Sequence, residues 1–258
     1  MKILFIGDIV GQAACETLKA FLPGFRREIE TDIIIINGEN SADGNGITPY
    51  SANLLFEAGA DVITTGNHCF KRQIMDEMYR VNPFVLRPAN FGTDAVGKGA
   101  CIIDKGGFSV AVINLIGTTY MAPADNPFKC ADEILSEIKT QNIIVDFHAE
   151  ATAEKKAMGF YLARKVSAVI GTHTHVQTAD ERIIAGSAAY ITDAGMTGAH
   201  DSVLGVEKDI IIEKFVNYYP KKHFFAGGRH SINAVLLEID VKSGKALSIS
   251  RINRYMEK

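Results

Sequence analysis

The sequence predicts an α/β fold, built on one mixed sheet or on two sheets packed face to face between helices. Strand and helix patterns alternate over the first half of the chain, which favours parallel strand pairing. Two hairpin-like strand pairs, at residues 96–115 and 232–252, add antiparallel pairing. The chain shows no repeat, low-complexity tract or linker, so residues 1–258 are predicted to form a single domain.

The first third of the chain alternates apolar runs with helical patterns. Residues 3–6 form a continuous apolar run bounded by glycine, as in a strand buried on both faces. A helix is predicted over residues 12–28, and Pro23 is expected to break or kink it. Thr48 as N-cap and Pro49 as first helical residue start a later helix. The elements predicted after residue 28 are strand 33–36, loop 41–48, helix 49–58, strand 61–65, helix 71–80 and the apolar run 84–86.

The remaining elements follow from the same patterns. A turn at residues 105–107 joins two strands, and residues 122–128, which hold two prolines, are expected to be an irregular loop. A turn at 242–245 joins the last two strands. The predicted strands are 96–101, 108–115, 143–147, 166–170, 188–192, 232–239 and 246–252, and the predicted helices are 131–140, 153–164 and 208–216.

Composition limits the class of protein. A formal charge of −3 argues against a protein that binds duplex DNA. It is compatible with binding of small anionic substrates, because a metal ion can supply positive charge locally. No apolar run approaches the roughly 20 residues that cross a bilayer, and the first run is too short for a signal peptide. The four cysteines form no C-x-x-C pair. We therefore expect a cytoplasmic protein with reduced thiols and no membrane partner.

Five predicted strands are followed directly by polar or imidazole side chains. In α/β sheets, ligands bind outside the carboxyl ends of the strands, so these side chains are expected to meet. Aspartate and asparagine also cap helices and turns at such positions, but capping does not favour histidine or glutamate. The side chains concerned are Asp8, then Glu39 and Asn40, then Asn67 and His68, then His148, then His173 and His175.

These residue types point to metal binding. His173 and His175 are spaced i, i+2, so in extended chain both imidazoles would face one side, and neutral imidazole is the commonest metal ligand. A catalytic zinc uses three protein ligands, so a larger set fits two ions about 3.5–4 Å apart. Oxygen and imidazole donors without thiolate favour manganese, iron or zinc. The seven candidate ligands are Asp8, Glu39, Asn40, Asn67, His148, His173 and His175.

The ordered motifs resemble those of the calcineurin-like metallophosphoesterases, and more closely the YmdB-like branch of bacterial cyclic-nucleotide phosphodiesterases. The resemblance covers essentially the whole chain and implies two packed mixed β-sheets flanked by helices, an αββα sandwich. The motifs are Gly7-Asp8, Asn37-Gly38-Glu39-Asn40, Gly66-Asn67-His68, Phe147-His148 and Gly171-Thr172-His173-Thr174-His175, with further similarity at residues 148–152, 175–180 and 193–198.

The resemblance also implies a ligand set for each ion. One ion would be held by Asp8, Glu39, Asn40 and His175, and the other by Glu39, Asn67, His148 and His173, with Glu39 bridging. The chain departs from the commonest pattern of the superfamily at two positions. Val10 stands in place of a histidine ligand, which Asn40 is expected to replace, and Glu39 stands in place of a bridging aspartate. Iron or manganese is the expected metal, with zinc as the alternative.

The expected reaction is hydrolysis of a small phosphodiester such as a 2′,3′-cyclic nucleotide, with two ions generating the nucleophile from water. His68 is the candidate general acid for the leaving alkoxide; the alternative is that it serves only to orient Asn67. The alternatives are a phosphomonoesterase, an RNA phosphodiesterase, or a regulator that binds nucleotide without turnover. The sequence leaves open the physiological substrate, the pathway, and whether the chain forms a homo-oligomer.

Several other residues carry weaker expectations. Gly195 could let a backbone N–H approach a phosphate, although a plain turn fits equally well. Arg87 could also meet a phosphate, with a salt bridge as the ordinary alternative. Cys69 follows His68 where many relatives carry an acidic residue, so its role is open. The histidines expected on the surface or in loops are His200, His223 and His230.

Overall fold

Two mixed β-sheets face each other in the computed structural model, which describes residues 1–43 and 45–256. The predicted loop over residues 41–48 includes position 44, and the predicted domain includes positions 257 and 258; these three positions lie outside the described residues. The strands are β1 Lys2–Ile6, β2 Asp8–Ile9, β3 Ile33–Asn37, β4 Val62–Thr64, β5 Ala100–Asp104, β6 Ser109–Ile116, β7 Ile143–His148, β8 Ala168–Thr172, β9 Arg182–Ile184, β10 Ala188–Ile191, β11 Met196–Ala199, β12 His230–Ile239 and β13 Ala246–Tyr255. The helices are α1 Gln12–Ile29, α2 Pro49–Ala58, α3 Asp76–Val81, α4 Pro127–Glu137, α5 Thr152–Leu162 and α6 Lys208–Asn217.

Each sheet combines parallel and antiparallel pairs. The first sheet has the order β2-β11-β12-β1-β3-β4, with β13 paired to β12. Its β1, β3 and β4 are parallel, while β12 runs antiparallel to β1, β11 and β13. The second sheet has the order β5-β6-β7-β8-β10-β9, with four parallel central strands and an antiparallel strand at each edge. The expectation of two packed mixed sheets is confirmed.

Apolar side chains cover both faces of the central strands. On β1, Ile3 and Phe5 pack into the cluster between the sheets, together with Ile144 and Ile170 of the second sheet. The alternate residues of β1 pack instead with helical side chains such as Leu18 of α1. The outer face of the second sheet packs with side chains of α4 and α5. Burial on two faces explains why the strands read as continuous apolar runs rather than alternating ones.

Two helix predictions were wrong in detail. Pro23 lies inside a continuous α1, because burial of Leu22 and Phe25 on either side outweighs the hydrogen bond that proline cannot donate. The helix predicted at 131–140 is α4, which begins in the stretch expected to be a loop. Asn126 caps it by accepting from two backbone N–H groups, and Pro127 occupies the first helical position.

The strand predictions failed where strands are short or interrupted by glycine. Three strands of two to four residues, β2, β9 and β11, were not predicted, because so few residues show no periodicity. The strand predicted at 96–101 is shifted to β5, because Gly97 has a φ of 90° and interrupts the extended chain. The predicted helix 71–80 is a 3₁₀ turn, Gln73–Met75, followed by α3. No helix in the described ranges combines the length and apolarity needed to span a bilayer.

A buried ion pair joins α5 to the segment after β10, and it should carry measurable stability. Lys155 Nζ lies 2.6 Å from Asp193 Oδ2, and both side chains are almost fully buried. Lys155→Met should lower the free energy of unfolding by about 3–5 kcal/mol, because Asp193 would become an uncompensated buried charge. Lys19→Met, which breaks an exposed pair with Glu57, is the control and should change little in the same denaturant titration. Similar losses in the two variants would contradict this reading.

Candidate metal centre

The carboxyl ends of five strands from both sheets converge at one rim. Asp8 lies two residues after β1 and is the first residue of β2, Glu39 lies two residues after β3, and His148 is the last residue of β7. Asn67 lies three residues after β4, and His173 follows β8. Parallel pairing within each sheet aligns these ends, and packing of the sheets brings the two sets together.

His148 lies at the centre of the cluster and is fully buried. Its Nε2 lies 3.2 Å from Glu39 Oε1, 3.0 Å from Asn67 Oδ1 and 3.0 Å from His173 Nδ1. Donor atoms of Glu39, His148 and His173 lie within 4.8 Å of one another. This half of the cluster therefore places three potential ligands of one ion, and a fourth in Asn67, around a common point.

Asp8 connects this group to the remaining candidates. Its Oδ1 lies 3.8 Å from His148 Nδ1 and 3.9 Å from His175 Nε2. Asn40 Nδ2 lies 3.3 Å from His175 Nε2 and donates to Glu39 Oε1 at 3.2 Å. All seven residues singled out in the sequence thus belong to one continuous cluster.

A relay of hydrogen bonds through Thr172 and Asp146 orients the ring of His148. The hydroxyl of Thr172 donates to Asp146 Oδ1 at 2.7 Å, so it accepts from His148 Nδ1 at 2.9 Å. Nδ1 therefore donates its proton to Thr172, and Nε2 is the nitrogen that faces the cluster. Asp146 is itself buried and also accepts from Asn37 Nδ2 at 2.9 Å.

The other two imidazoles are oriented in the same way. His173 Nε2 lies 3.0 Å from Glu150 Oε2, which leaves Nδ1 facing the cluster. His175 Nδ1 lies 3.4 Å from the carbonyl oxygen of Leu204, which leaves Nε2 facing Asp8. Each ring has an acceptor outside the cluster for its proton and a second nitrogen directed inward, the arrangement found in metal-ligating histidines.

This donor set fits a cation. His148 Nε2 and His173 Nδ1 are 3.0 Å apart, and two lone pairs at that distance need a proton or a cation between them. Among the described residues, Asp8 Oδ1 is a buried carboxylate oxygen without a hydrogen-bond partner. A buried charge in this state is costly unless a positive group compensates it. Iron, manganese and zinc all accept this combination of oxygen and imidazole ligands.

The protonation of the cluster depends on its carboxylates. Burial disfavours the charged form of His148 and so acts to lower its pKa. The negative charges of Glu39, Asp8 and Asp146 outweigh this effect and raise the pKa of His148 to about 9. Burial, together with the charge on His148, lowers the pKa of His173 to about 3, so that imidazole is neutral. Burial also raises the pKa of Asp8. The carboxylates that hold a proton on His148 would equally favour a metal cation in its place.

The turn that carries His173 and His175 is strained. The two residues have φ angles of 102° and 63°, in the left-handed region that residues other than glycine rarely adopt. The expectation that they lie in extended chain is therefore wrong, because β8 ends before them. Thr174 between them donates to Asp193 Oδ2 from its backbone nitrogen at 3.0 Å and from its hydroxyl at 2.7 Å. The buried Lys155–Asp193 pair thus holds this turn in place.

Glycine is required beside the cluster at one position. A Cβ added to Gly66 would lie 2.2 Å from Glu39 Oε2 and 2.4 Å from His148 Nε2. The motif Gly66-Asn67-His68 therefore begins with the residue that leaves room for two of the ligands. His68 itself is partly exposed, and its Nδ1 lies 3.1 Å from Glu39 Oε1 and 3.0 Å from Asn40 Oδ1.

A cavity of about 1100 Å³ opens over the cluster. Its floor includes His68, His173 and His175. Two loop segments, which follow none of the predicted strand ends, form part of its wall. The wall residues that sequence reasoning missed are Leu204, Val206, Phe224 and Phe225, together with Glu150 and His223 at the rim.

The weaker candidates have structural roles. Arg87 donates to four backbone carbonyls, those of residues 88, 89, 92 and 95, rather than forming the expected salt bridge. Burial raises the pKa of the Cys69 thiol, so it has none of the character of a reactive thiolate. Gly195 has a φ of 81° and donates its N–H to Asp193 Oδ1, as a turn residue does. Of the three outlying histidines, His223 alone lines the cavity.

Comparisons with known proteins agree with this geometry. The profile of a family described as YmdB-like protein matches residues 4–252. A Bacillus subtilis (strain 168) protein named 2′,3′-cyclic-nucleotide 2′-phosphodiesterase is 45% identical over 98% of this chain and 96% of its own length. A crystal structure described as a novel phosphatase from Mycoplasma pneumoniae is 32% identical, with a TM-score of 0.92 over 99% of this chain and 93% of that one.

One solved structure of much lower sequence identity shares the fold. Haemophilus influenzae NAD nucleotidase is 13% identical, with a TM-score of 0.58 over 99% of this chain and 56% of that one, so the likeness is one of fold alone. The family match, by contrast, runs through all the strand ends that build the cluster. This chain belongs to the YmdB-like protein family.

Proposed function

We propose that this protein is a two-metal phosphodiesterase that hydrolyses small cyclic nucleotides such as 2′,3′-cAMP. The observation that carries the proposal is the continuous cluster of seven donor residues at the base of an open cavity. One oxygen of Asp8 in this cluster has no hydrogen-bond partner within residues 1–43 and 45–256. The 45% identical relative, named as a 2′,3′-cyclic-nucleotide 2′-phosphodiesterase, supports the choice of substrate.

Each ion would have three ligand residues of its own and would share Glu39 with the other ion. Asp8, Asn40 and His175 would hold one ion, and Asn67, His148 and His173 the other, with Glu39 shared. Asn40 is the ligand that must adjust, because its amide oxygen faces His68 and its nitrogen faces His175. We expect iron or manganese, with zinc as the alternative. When bound, such ions neutralise phosphoryl oxygens and lower the pKa of water toward neutrality.

The protein's own groups would handle position and protons. His68 borders the cavity, and its ring is held by Glu39 and Asn40, so a proton on this imidazole can pass to the leaving oxygen of the ester. Glu39 also accepts from the backbone N–H of His68 at 3.2 Å, which fixes the donor relative to the bridging ligand. The Thr172–Asp146 relay and the Asp193 contacts would keep the imidazole ligands in place during turnover.

His68→Ala should lower kcat for 2′,3′-cAMP by about 10²–10⁴-fold, since a general acid typically contributes that much. Metal content, measured by elemental analysis, should stay near that of the wild type. His200→Ala is the control, because that ring contacts Ser231 and Tyr255 away from the cavity. If His68→Ala lost rate and metal together, His68 would be a positioning residue instead.

Asp8→Asn should separate metal binding from folding. The substitution keeps the shape of the side chain but removes a buried charge, so the metal-free protein should be at least as stable as the wild type in thermal unfolding. Bound metal should fall from two equivalents to one, and adding Mn²⁺ should raise the Tm less than in the wild type. Full retention of two equivalents would remove Asp8 from the ligand set.

A panel of substrates discriminates between the related activities. Turnover of 2′,3′-cAMP should exceed that of p-nitrophenyl phosphate and of a short RNA under the same Mn²⁺ loading. Preference for p-nitrophenyl phosphate would favour a phosphomonoesterase, a reading supported by the relative described as a phosphatase. Binding of cyclic nucleotide without release of product would indicate a regulatory protein.

A further inference from the structure

We propose that the cavity beside the metal cluster contains a binding subsite for a nucleobase. The subsite is formed by Leu204, Val206, Phe224 and Phe225, here called the apolar wall. The inference deepens the proposed function, because it assumes that the phosphate of the substrate is held at the cluster. It assigns the wall to the planar, uncharged part of the same molecule.

The apolar wall is a built structure, although it lies outside both sheets. Two loop segments pair through their backbones, since Glu207 N donates to Phe224 O at 3.0 Å and Ala226 N donates to Gly205 O at 2.9 Å. Within the first segment, Val203 and Val206 exchange hydrogen bonds of 2.9 and 3.0 Å. The four apolar side chains are therefore held together on a paired backbone.

The wall is also fixed relative to the metal ligands. The carbonyl oxygen of Leu204 accepts from His175 Nδ1 at 3.4 Å, so one wall residue orients one ligand. The ring of Phe225 packs against Gly11, where an added Cβ would lie 3.3 Å from it. Gly11 in turn donates its N–H to Asn40 O at 2.9 Å. A ligand that touches both the cluster and the wall would therefore meet a preformed site.

Chemical character identifies the occupant. Leu204 is 47% exposed and Phe224 is 53% exposed, so apolar surface lies open in a cavity whose floor is polar. Aromatic rings and branched aliphatic side chains suit a flat heterocycle, which can stack on them. Three carboxylates, those of Asp43, Glu150 and Glu207, line the same cavity together with one ammonium group, that of Lys222. Because the negative groups outnumber the positive one, they disfavour a second phosphate, and a mononucleotide fits better than an oligonucleotide.

Phe224→Ala tests the subsite in the metal-loaded protein. The KM for 2′,3′-cAMP should rise about tenfold, in keeping with the loss of one stacking contact, while kcat stays near the wild-type value. The KM for ribose 2′,3′-cyclic phosphate, which has no base, should not change. Phe224→Trp should restore the KM for 2′,3′-cAMP. Phe215→Ala, at an exposed position of α6 that does not border the cavity, is the matched control.

A direct binding measurement keeps this test independent of catalysis. Saturation-transfer NMR with adenosine should show transfer to the adenine protons from wild-type protein, and weaker transfer from Phe224→Ala. If neither ester is hydrolysed by the wild type, the proposed function fails, and the NMR result alone decides the subsite. Equal KM changes for both esters, or unchanged adenine signals in Phe224→Ala, would overturn the nucleobase assignment.

Discussion

The burial of two carboxylates, Asp8 and Glu39, is the constraint around which the site is organised. Both are inaccessible to solvent, and one oxygen of Asp8 finds no hydrogen-bond partner in the part of the chain that the structure describes. Carboxylates in such a place need positive charge, which protonated imidazole supplies in part and bound cations would supply fully. Both carboxylates lie at the rim where strands of both sheets end. A buried, incompletely paired charge thus coincides with the proposed centre of chemistry, as strained and uncompensated groups often do.

Residues outside the proposed ligand set keep the imidazole ligands in position. Asp146 acts on His148 through Thr172, and Asp193 acts on the strained histidine turn through Thr174. Asp193 is itself compensated by the buried Lys155. Glycine at position 66 leaves the space that the ligands occupy. A ligand set held by several independent contacts loses little geometry when a substrate binds or leaves.

Much of the site could be predicted because its signals are local in sequence. A buried parallel strand is a continuous apolar run, and each ligand follows such a run by a few residues, so position along the chain implies position at the rim. The conformation of the turn at His173 and His175 could not be predicted, because hydrogen bonds to Asp193, which is distant in sequence, stabilise its strained backbone. The apolar wall could not be predicted either, since Leu204 and Phe224 lie in loops that pair through backbone hydrogen bonds and show no periodic pattern. Pro23 shows the same limit, because packing of the whole helix outweighs a local preference.

The central claim is that residues from position 8 to position 175 jointly hold a pair of cations. A crystal structure of the protein loaded with Mn²⁺, with anomalous scattering recorded at the manganese edge, tests it most directly. Two anomalous peaks about 3.5–4 Å apart are expected, with Glu39 between them, Asp8 and His175 beside one, and His148 and His173 beside the other. A single peak, or peaks that these side chains do not contact, would contradict the two-metal site.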